Sequence, residues 1–286
     1  MAFAPSGDQL AVGNGDERGP GELKVWDLTT GESRSRLGAH PRKVTSVTFS
    51  PDGRWLASCG LDGWIRSWDA TKLELHRVAE NAHPAAANCV AFSSDSKLVA
   101  SCSMGEQCVR LWDPESGKLV ETLEGHSASV LSVAFSPDGS QMATAAADGT
   151  ARIWPVGSWQ PSIPLSDREV LARCVAFSPR GDFLVCGGRR HTVRLWDLDE
   201  VQAGAILEGH GGTVRSISFS PDGKTLATAG DNNTVRLWNP ATHEQLMALE
   251  VNRFSVRGVA FSPNGKILAA CDSSDTVQLW FAAPDD

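Results

Sequence analysis

The chain has 286 residues and a formal net charge of −8, and 41% of its residues are hydrophobic. The acidic balance argues against nucleic-acid binding over the whole surface, and no apolar run approaches the ~18 residues of a membrane span. The N-terminal residues lack the basic and apolar regions of a secretory signal, so we expect a cytoplasmic protein with neither nucleic-acid nor membrane partners.

A tryptophan recurs along the chain at a nearly constant interval. The spacings are 42, 44, 42, 42, 42 and 42 residues between Trp26, Trp68, Trp112, Trp154, Trp196, Trp238 and Trp280. A phenylalanine series from Phe3 to Phe261 recurs at nearly the same interval, 42 to 46 residues. Self-similarity at this period is typical of architectures in which each repeat is one supersecondary unit. We therefore expect seven structural units.

Each unit contains the same order of strand and turn signals. A phenylalanine is followed by Ser-Pro-Asp-Gly or a close variant, as at 50–53, 136–139 and 220–223. Proline presets φ at the second turn position and glycine accepts a positive φ at the exit, so this segment predicts a tight hairpin between the first and second strands. An apolar second strand, a polar turn and an alternating third strand follow. Short strands at this interval predict an all-β fold.

A fourth strand is expected after each tryptophan. In the fourth unit this segment carries Pro155, Pro161 and Pro164. Proline cannot donate to an interior ladder, so the strand is predicted to lie at a sheet edge. We therefore predict that Pro161 and Pro164 lie on an outer edge and that the tryptophans of the third strands are buried.

The repeat resembles the WD-repeat family. Trp-Asp pairs stand at 26–27, 68–69, 112–113 and 196–197, and Gly-His pairs at 125–126 and 209–210. The resemblance covers nearly the entire chain and departs from the family pattern at 154–155, 238–239 and 280–281. It implies a single seven-bladed β-propeller over residues 1–286, with four-stranded antiparallel blades, that serves as a platform for protein interactions.

Members of this family close the ring with an N-terminal strand that completes the last blade. Here the sequence begins inside the first strand of blade one, and only residues 281–286 follow Trp280. The resemblance therefore implies that blade seven lacks its outer strand and that the chain is a fragment of a longer protein, with about fifteen residues of a repeat absent. The exposed edge of blade seven is expected to pair with another chain.

Histidine, hydroxyl, acidic and tryptophan residues recur at fixed offsets. The second unit has His40, Ser58, Asp62 and Trp68, and the fourth has His126, Thr144, Asp148 and Trp154. The sixth has His210, Thr228 and Trp238 with Asn232 beside Asp231, and the third has His83, Ser101 and Trp112 with Glu106 in the acidic position. A Ser-His-Asp set also suggests a hydrolase, but recurrence in several units favours a structural network. By resemblance, the Asp orients the His, the His meets the hydroxyl, and the hydroxyl meets the Trp N–H.

The fifth and seventh units depart from this set. They carry Arg168 and Asn252 in place of the histidine, and Arg190 and Ser274 in place of the aspartate. We expect these two blades to be softer than the others. Elsewhere the sequence has no glycine-rich phosphate loop, paired catalytic carboxylates or metal cluster, so no enzymatic activity, cofactor or metal is predicted.

The cysteines are odd in number and scattered: Cys59, Cys89, Cys102, Cys108, Cys174, Cys186 and Cys271. They form no Cys-x-x-Cys pair and no Cys/His cluster at zinc spacing. Several stand where sibling repeats carry Ser, Ala or Gly. We interpret them as reduced packing residues in a reducing compartment, with a reactive nucleophile as the alternative.

The resemblance also places partner contacts on one face of the propeller, three and five residues beyond each histidine position and one residue before each acidic position. In the first half of the chain these positions include Lys43, Thr45, Leu61 and Leu131. In the second half they include Arg173, Arg189, Arg215, Asp231 and Arg257, with Arg190 adjacent.

We call Arg173, Arg189, Arg190, Arg215 and Arg257 the basic arc. Three of the five occupy the same position in three adjacent units of an acidic protein. One interpretation is capture of an acidic or phosphorylated segment by the guanidinium groups. The other is a solvated face on which the arginines pair with Asp231 or Glu169. The sequence leaves both open.

We therefore expect a non-catalytic scaffold that binds partner proteins or peptides. The alternative is a regulatory or sensor module of a larger bacterial-type signalling protein such as a kinase. An enzyme with its site in the channel is a third hypothesis, for which the sequence offers no positive feature.

Overall fold

The structure, a computed structural model, describes residues 1–16, 18–160, 164–166, 170–251 and 254–282. In this part of the chain every regular element is a β-strand. The strands form seven antiparallel sheets in chain order, which are the blades of a seven-bladed β-propeller, as the repeat predicts. The described residues include no helix of the length and apolarity needed to cross a membrane.

The first three blades each contain four strands, with the first and fourth at the two edges. Blade one consists of β1 (Ala2–Phe3), β2 (Gln9–Asn14), β3 (Gly21–Asp27) and β4 (Ser33–His40). Blade two consists of β5 (Val44–Phe49), β6 (Trp55–Gly60), β7 (Ile65–Asp69) and β8 (Leu75–Ala79). Blade three consists of β9 (Ala87–Phe92), β10 (Val99–Ser103), β11 (Cys108–Trp112) and β12 (Leu119–Glu124).

The next three blades repeat this arrangement. Blade four consists of β13 (Val130–Phe135), β14 (Gln141–Ala146), β15 (Thr150–Pro155) and β16 (Leu165–Ser166). Blade five consists of β17 (Ala172–Phe177), β18 (Phe183–Gly188), β19 (Val193–Asp197) and β20 (Gln202–Leu207). Blade six consists of β21 (Val214–Phe219), β22 (Leu226–Gly230), β23 (Thr234–Trp238) and β24 (Gln245–Glu250).

Blade seven has three strands, as predicted: β25 (Val256–Phe261), β26 (Ile267–Asp272) and β27 (Val277–Phe281). Within the described part of this blade, β27 is an edge strand that pairs with β26 alone. Residues 283–286 lie outside the described residues.

The chain divides into two compact units. Unit one comprises Met1–Asp148 with Arg152–Ile163, and unit two comprises Gly149–Ala151 with Pro164–Asp286. Blades one to three lie in unit one and blades five to seven in unit two. The assignment of residues 1–286 to a single domain stays a prediction.

Short side-chain hydrogen bonds fix the hairpin between the first two strands of a blade. In blade two the Ser50 hydroxyl donates to Asp52 Oδ1 at 2.5 Å and accepts from the Trp55 N–H at 2.9 Å. Gly53 closes the turn with φ of 72°, a conformation that glycine adopts without steric cost. The same serine-to-acid bond occurs at Ser136 and Ser220, so the Ser-Pro-Asp-Gly prediction is confirmed.

Apolar side chains from adjacent blades form the cores of both units. In unit one, Leu56 and Trp68 of blade two pack with Leu23 of blade one. In unit two, Leu195 of blade five packs with Trp238 of blade six. Burial of such side chains supplies the main favourable term of folding.

The tryptophans that end the third strands differ in burial. Trp68, Trp112, Trp154, Trp196 and Trp238 are buried. Trp26 and Trp280 are half-buried, so the prediction was wrong for these two. The corresponding second-strand position carries a hydroxyl in blades two, three, four and six, but in these two blades it holds Val12 and Ala270, which offer the indole N–H no acceptor. Blade five has Cys186 at this position, and its Trp196 is buried. A tryptophan N–H without an internal partner favours contact with water.

The edge-strand prediction for blade four is confirmed. The strand β16 lies at the edge of its sheet and contains two residues. Pro164, which is exposed, precedes it directly. Pro161 lies outside the described residues.

Candidate functional site

A β-bulge interrupts the pairing of the first and second strands in six of the described blades. In blade two, Val44 pairs with Gly60 and Ser46 with Cys59, so Thr45 has no residue opposite it. The six bulge residues are Thr45, Asn88, Leu131, Arg173, Arg215 and Arg257. A bulge leaves its extra residue outside the ladder and changes the direction of that side chain. Five of the residues proposed from the sequence for partner contacts are therefore bulge residues.

In unit two, one carboxylate lies among the arginines of the basic arc. Arg215 donates to both oxygens of Asp231, from Nε to Oδ1 and from a terminal nitrogen to Oδ2 at 2.8 Å. The Ser255 hydroxyl also donates to Oδ1 of Asp231. Burial opposes ionisation of Asp231, but the hydrogen bonds from Arg215 and Ser255 hold the pKa of its carboxyl below the usual value. Asp231 therefore neutralises Arg215.

The other two arginines at bulges in this unit are not paired in the same way. Among the described residues, neither Arg173 nor Arg257 forms a salt bridge or a side-chain hydrogen bond. Burial lowers the pKa of Arg173, and the positive charges of Arg215 and Arg189 lower it further. The charge of Asp231 acts on Arg173 and on Arg257 as well as on Arg215. These side chains form one electrostatic cluster with an excess of positive charge.

The loop between β18 and β19 carries the rest of the basic arc. Arg189 and Arg190 are exposed, and their backbone N–H groups donate to Leu171 and Val170 at 3.3 and 3.4 Å. Of the two pairings considered for the arc, the one with Asp231 occurs at Arg215. Glu169 lies outside the described residues.

In unit one, the residues proposed for partner contacts have structural bonds of their own. The Thr45 hydroxyl donates to the carbonyl of Ala87 in blade three at 2.5 Å. The Leu61 N–H donates to the Lys43 carbonyl at 2.9 Å. Lys43, Leu61 and Leu131 are half-buried. The basic arc of unit two therefore has the greater concentration of charge, whereas these four residues are neutral except for Lys43.

The recurring histidine sets form hydrogen-bonded chains. In the second repeat unit, Nδ1 of His40, the last residue of β4, lies 2.9 Å from Asp62 Oδ2, and its Nε2 lies 2.8 Å from Ser58 Oγ. Trp68 Nε1 donates to Ser58 Oγ at 2.9 Å. Burial lowers the pKa of His40, so the ring is neutral near pH 7. A carboxylate accepts only, so Nδ1 carries the proton and Nε2 accepts from the serine O–H.

The same geometry occurs in three further blades. In blade four, His126 lies 2.9 Å from Asp148 and 2.7 Å from Thr144, to which Trp154 donates at 2.9 Å. In blade three, His83 bonds to Glu106 at 2.5 Å and to Ser101 at 2.8 Å, and Trp112 donates to Ser101. In blade six, His210 bonds to Asn232 and Thr228, and Trp238 donates to Thr228. Asn232 rather than Asp231 completes this set, which leaves Asp231 for Arg215.

These hydroxyls are buried acceptors of an indole N–H. Ser58, Ser101, Thr144 and Thr228 all have no exposed surface. A nucleophile in acyl transfer must reach its substrate and lie beside an oxyanion hole. The chains therefore have the geometry of a satisfied core network.

An arginine four residues beyond the acidic position extends two of these chains. Arg66 donates to the Ala39 carbonyl at 2.5 Å and lies 3.5 Å from Asp62. Arg110 bonds to Glu106 at 2.7 Å. We did not assign this role from the sequence, although the spacing recurs at Arg66, Arg110, Arg152, Arg194 and Arg236. The recurrence of this arginine in five units is the pattern from which its role could have been predicted.

The fifth and seventh blades differ at the corresponding positions. Arg190 belongs to the basic arc, and Ser274 donates its hydroxyl to Asp272 at 2.6 Å. Arg168 and Asn252 lie outside the described residues, so the expectation that these blades are softer stays a prediction. The described residues include no cluster of side chains able to hold a metal ion.

Comparison with known proteins identifies the repeat. A family model described as "WD domain, G-beta repeat" matches residues 31–69, 75–113, 117–155, 166–197, 202–239 and 244–280. These stretches together make up more than half of the chain.

Three curated proteins illustrate the similarity. The "Periodic tryptophan protein 2 homolog" of Dictyostelium discoideum is 26% identical over 156 residues, which are 54% of this chain and 16% of that protein. The "Small ribosomal subunit protein RACK1y" of Oryza sativa subsp. japonica is 32% identical over 150 residues, 48% and 42% of the two chains. The "COMPASS component SWD1" of Saccharomyces cerevisiae is 38% identical over 76 residues, 25% and 17%. The chain thus matches less than half the length of each of these relatives.

Proposed function

Because the chain belongs to the WD40 repeat family, we propose that it is a non-catalytic scaffold that binds partner proteins or peptides. Two of the relatives above are named as members of assemblies, the small ribosomal subunit and COMPASS. None of the three is described as a kinase, so the alternative of a sensor module is not favoured. We keep a cytoplasmic location as part of the proposal.

We further propose that the basic arc captures an acidic or phosphorylated segment of the partner. The observation that carries this proposal is the cluster of Arg173, Arg215 and Arg257 around Asp231, with Arg189 close to Arg173. Like charges at short range repel, and an acidic ligand relieves that repulsion. Each charge-assisted hydrogen bond to a guanidinium contributes about 1.5–3 kcal/mol. Two or three such contacts allow affinity in the micromolar range after the cost of ordering a peptide.

The bulges explain how these arginines become available. An arginine inside a regular ladder position alternates with its neighbours and packs on one sheet face. A bulge residue does not follow that alternation, because it has no partner on the neighbouring strand. Regular pairing continues on both sides of it, as at Ala172 and Cys174 on either side of Arg173. A rigid strand on both sides then holds the base of each side chain, which reduces the entropy lost on binding.

Asp231 acts in this proposal as an internal competitor of the ligand. Asp231→Asn keeps the size of the side chain and removes its charge, so Arg215 becomes available and the positive charge of the arc increases. We expect affinity for an acidic peptide to increase about two- to tenfold, which corresponds to roughly 0.4–1.4 kcal/mol. Fluorescence anisotropy with a labelled acidic peptide measures the change.

The matched control for this variant is Asp222→Asn. Asp222 is exposed and lies in the turn between β21 and β22, at the far end of β21 from Arg215. Its substitution is expected to leave affinity unchanged. Equal or weaker binding by Asp231→Asn would argue that the carboxylate organises the site instead of competing for it.

We also propose that the edge strand β27 pairs with a strand of another chain. Its pairing with β26 uses one side of the strand, and Phe281 at its end is 70% exposed. An edge strand with unpaired backbone groups is a template for strand addition.

The scaffold proposal is tested by capture from a cell extract with the immobilised protein, followed by quantitative mass spectrometry. Specific partners should be released by moderate salt, because charged contacts that face water are screened. If the protein hydrolysed a substrate from a panel of hydrolase substrates, and the Ser58→Ala variant lost that activity, the result would instead support an enzyme.

A further inference from the structure

Two of the seven cysteines face each other across adjacent strands of blade three. Cys89 of β9 and Cys102 of β10 are directly opposite in the antiparallel register. Directly opposite residues have Cα atoms about 4.5–5.5 Å apart, within the ~4.4–6.8 Å that a disulfide spans. The two thiols are close enough for each to shift the pKa of the other.

This juxtaposition is specific to one blade among those described. The same register position, directly after the bulge, holds the following opposite pairs in blades two to seven: Ser46–Cys59, Cys89–Cys102, Ser132–Ala145, Cys174–Gly187, Ser216–Ala229 and Gly258–Cys271. Cysteine occurs here as one of several small residues, which agrees with a packing role. Only in blade three do both strands supply a thiol.

The two thiols differ in access and in acidity. Cys89 is half-buried, whereas Cys102 has no exposed surface. Interaction with the Cys102 thiol lowers the pKa of Cys89. Interaction with the Cys89 sulfur raises the pKa of Cys102, and desolvation and the negative charge on Cys89 raise it further. Cys89 is therefore the thiolate that a small oxidant reaches first.

We propose that Cys89 and Cys102 form a reversible, peroxide-oxidisable dithiol, with Cys89 as the attacking and Cys102 as the resolving residue. The Cys89 thiolate attacks hydrogen peroxide, the O–O bond breaks, and Cys89 becomes a sulfenic acid as hydroxide leaves. The Cys102 sulfur then attacks the Cys89 sulfur, the S–O bond breaks, and water leaves with the Cys102 proton. Two thiols and one peroxide thus yield one disulfide and two waters, and a thiol reductant reverses the change.

The site adjoins the bulge at Asn88, the residue before Cys89. A disulfide there links the two strands on either side of the bulge covalently. It is a modification site of unit one, separate from the basic arc of unit two, so it does not depend on the function proposed above.

The test treats the intact, folded protein with a small excess of hydrogen peroxide, then alkylates all remaining thiols after unfolding. We expect two of the seven thiols to be lost and to return on treatment with dithiothreitol. Trypsin cuts at Arg77, Lys97 and Arg110, so the disulfide should join peptide 78–97 to peptide 98–110. The second peptide also contains Cys108, and fragmentation between residues 102 and 108 assigns the bond.

Two variants complete the experiment. Cys102→Ser should stop the reaction at a sulfenic acid on Cys89, which dimedone traps. Cys174→Ser is the matched control, because Cys174 occupies the position of Cys89 in blade five with Gly187 opposite; it should form the blade-three disulfide as wild type does. Retention of all seven thiols in the wild type, or a disulfide from Cys89 to Cys59 or Cys108, would overturn the proposal. Both outcomes are measured on the wild-type protein, so they do not require either variant to fold.

Discussion

Thr144→Val is expected to lower the free energy of unfolding by about 2–6 kcal/mol. The Thr144 hydroxyl accepts from Trp154 Nε1 at 2.9 Å and bonds to His126 Nε2 at 2.7 Å. Valine has nearly the same shape, so the substitution leaves two buried polar groups without partners and little cavity. Each such group costs about 1–3 kcal/mol. Urea denaturation followed by both tryptophan fluorescence and circular dichroism measures the loss.

Thr144→Ser is the matched control. Serine keeps the hydroxyl, as blades two and three do with Ser58 and Ser101. It removes one methyl group and should cost about 1 kcal/mol. If valine proves as mild as serine, the hydrogen-bonded chain contributes little to stability and the account of these residues is wrong.

Acidification from pH 7 to pH 4 is expected to destabilise the protein strongly. Four histidines are buried, and burial lowers the pKa of each: His40, His83, His126 and His210. The unfolded chain takes up a proton near pH 6.5, whereas the folded histidine stays neutral to lower pH. Stability is therefore full above pH 6.5 and declines as the pH falls towards the folded pKa.

We expect the largest loss of stability from His210, because burial lowers its pKa to about 4. The difference from the ordinary value of 6.5 corresponds to about 3 kcal/mol. Asn232→Asp should reduce this loss by about 1 kcal/mol or more, because a carboxylate at His210 Nδ1 stabilises the imidazolium and raises its pKa. Unfolding free energy measured at several pH values, with NMR titration of His210, tests both statements. An unfolding midpoint that does not change between pH 7 and pH 4 would contradict them.

Local chemistry made much of the fold predictable. The Ser-Pro-Asp-Gly turn depends on contacts within five residues, such as Ser50 with Asp52 and Trp55. The number of blades followed from the tryptophan spacing, because each repeat is one sheet.

Register and bulges were not predictable from the same pattern. Asp231 and Asn232 are adjacent and similar in size, yet one pairs with Arg215 and the other with His210. That choice depends on the bulge at Arg215, which strand alternation does not reveal. The opposition of Cys89 and Cys102 likewise depends on strand register. The half-burial of Trp26 and Trp280 was likewise not predicted from the repeat.

The most direct test of the proposed partner site is a titration of Arg173→Ala/Arg257→Ala. The ligands are acidic and phosphorylated peptides and neutral counterparts of the same length, at low and at physiological salt. The control is Lys224→Ala/Lys266→Ala, which removes two exposed cations from the hairpin turns of blades six and seven, at the other end of the first strands. We expect the wild type and the control to bind acidic peptides alike, more weakly as salt rises, and the arginine variant to bind them at least tenfold more weakly, about 1.4 kcal/mol. Equal affinity in all three proteins would show that the basic arc is a solvated face and that the partner binds elsewhere.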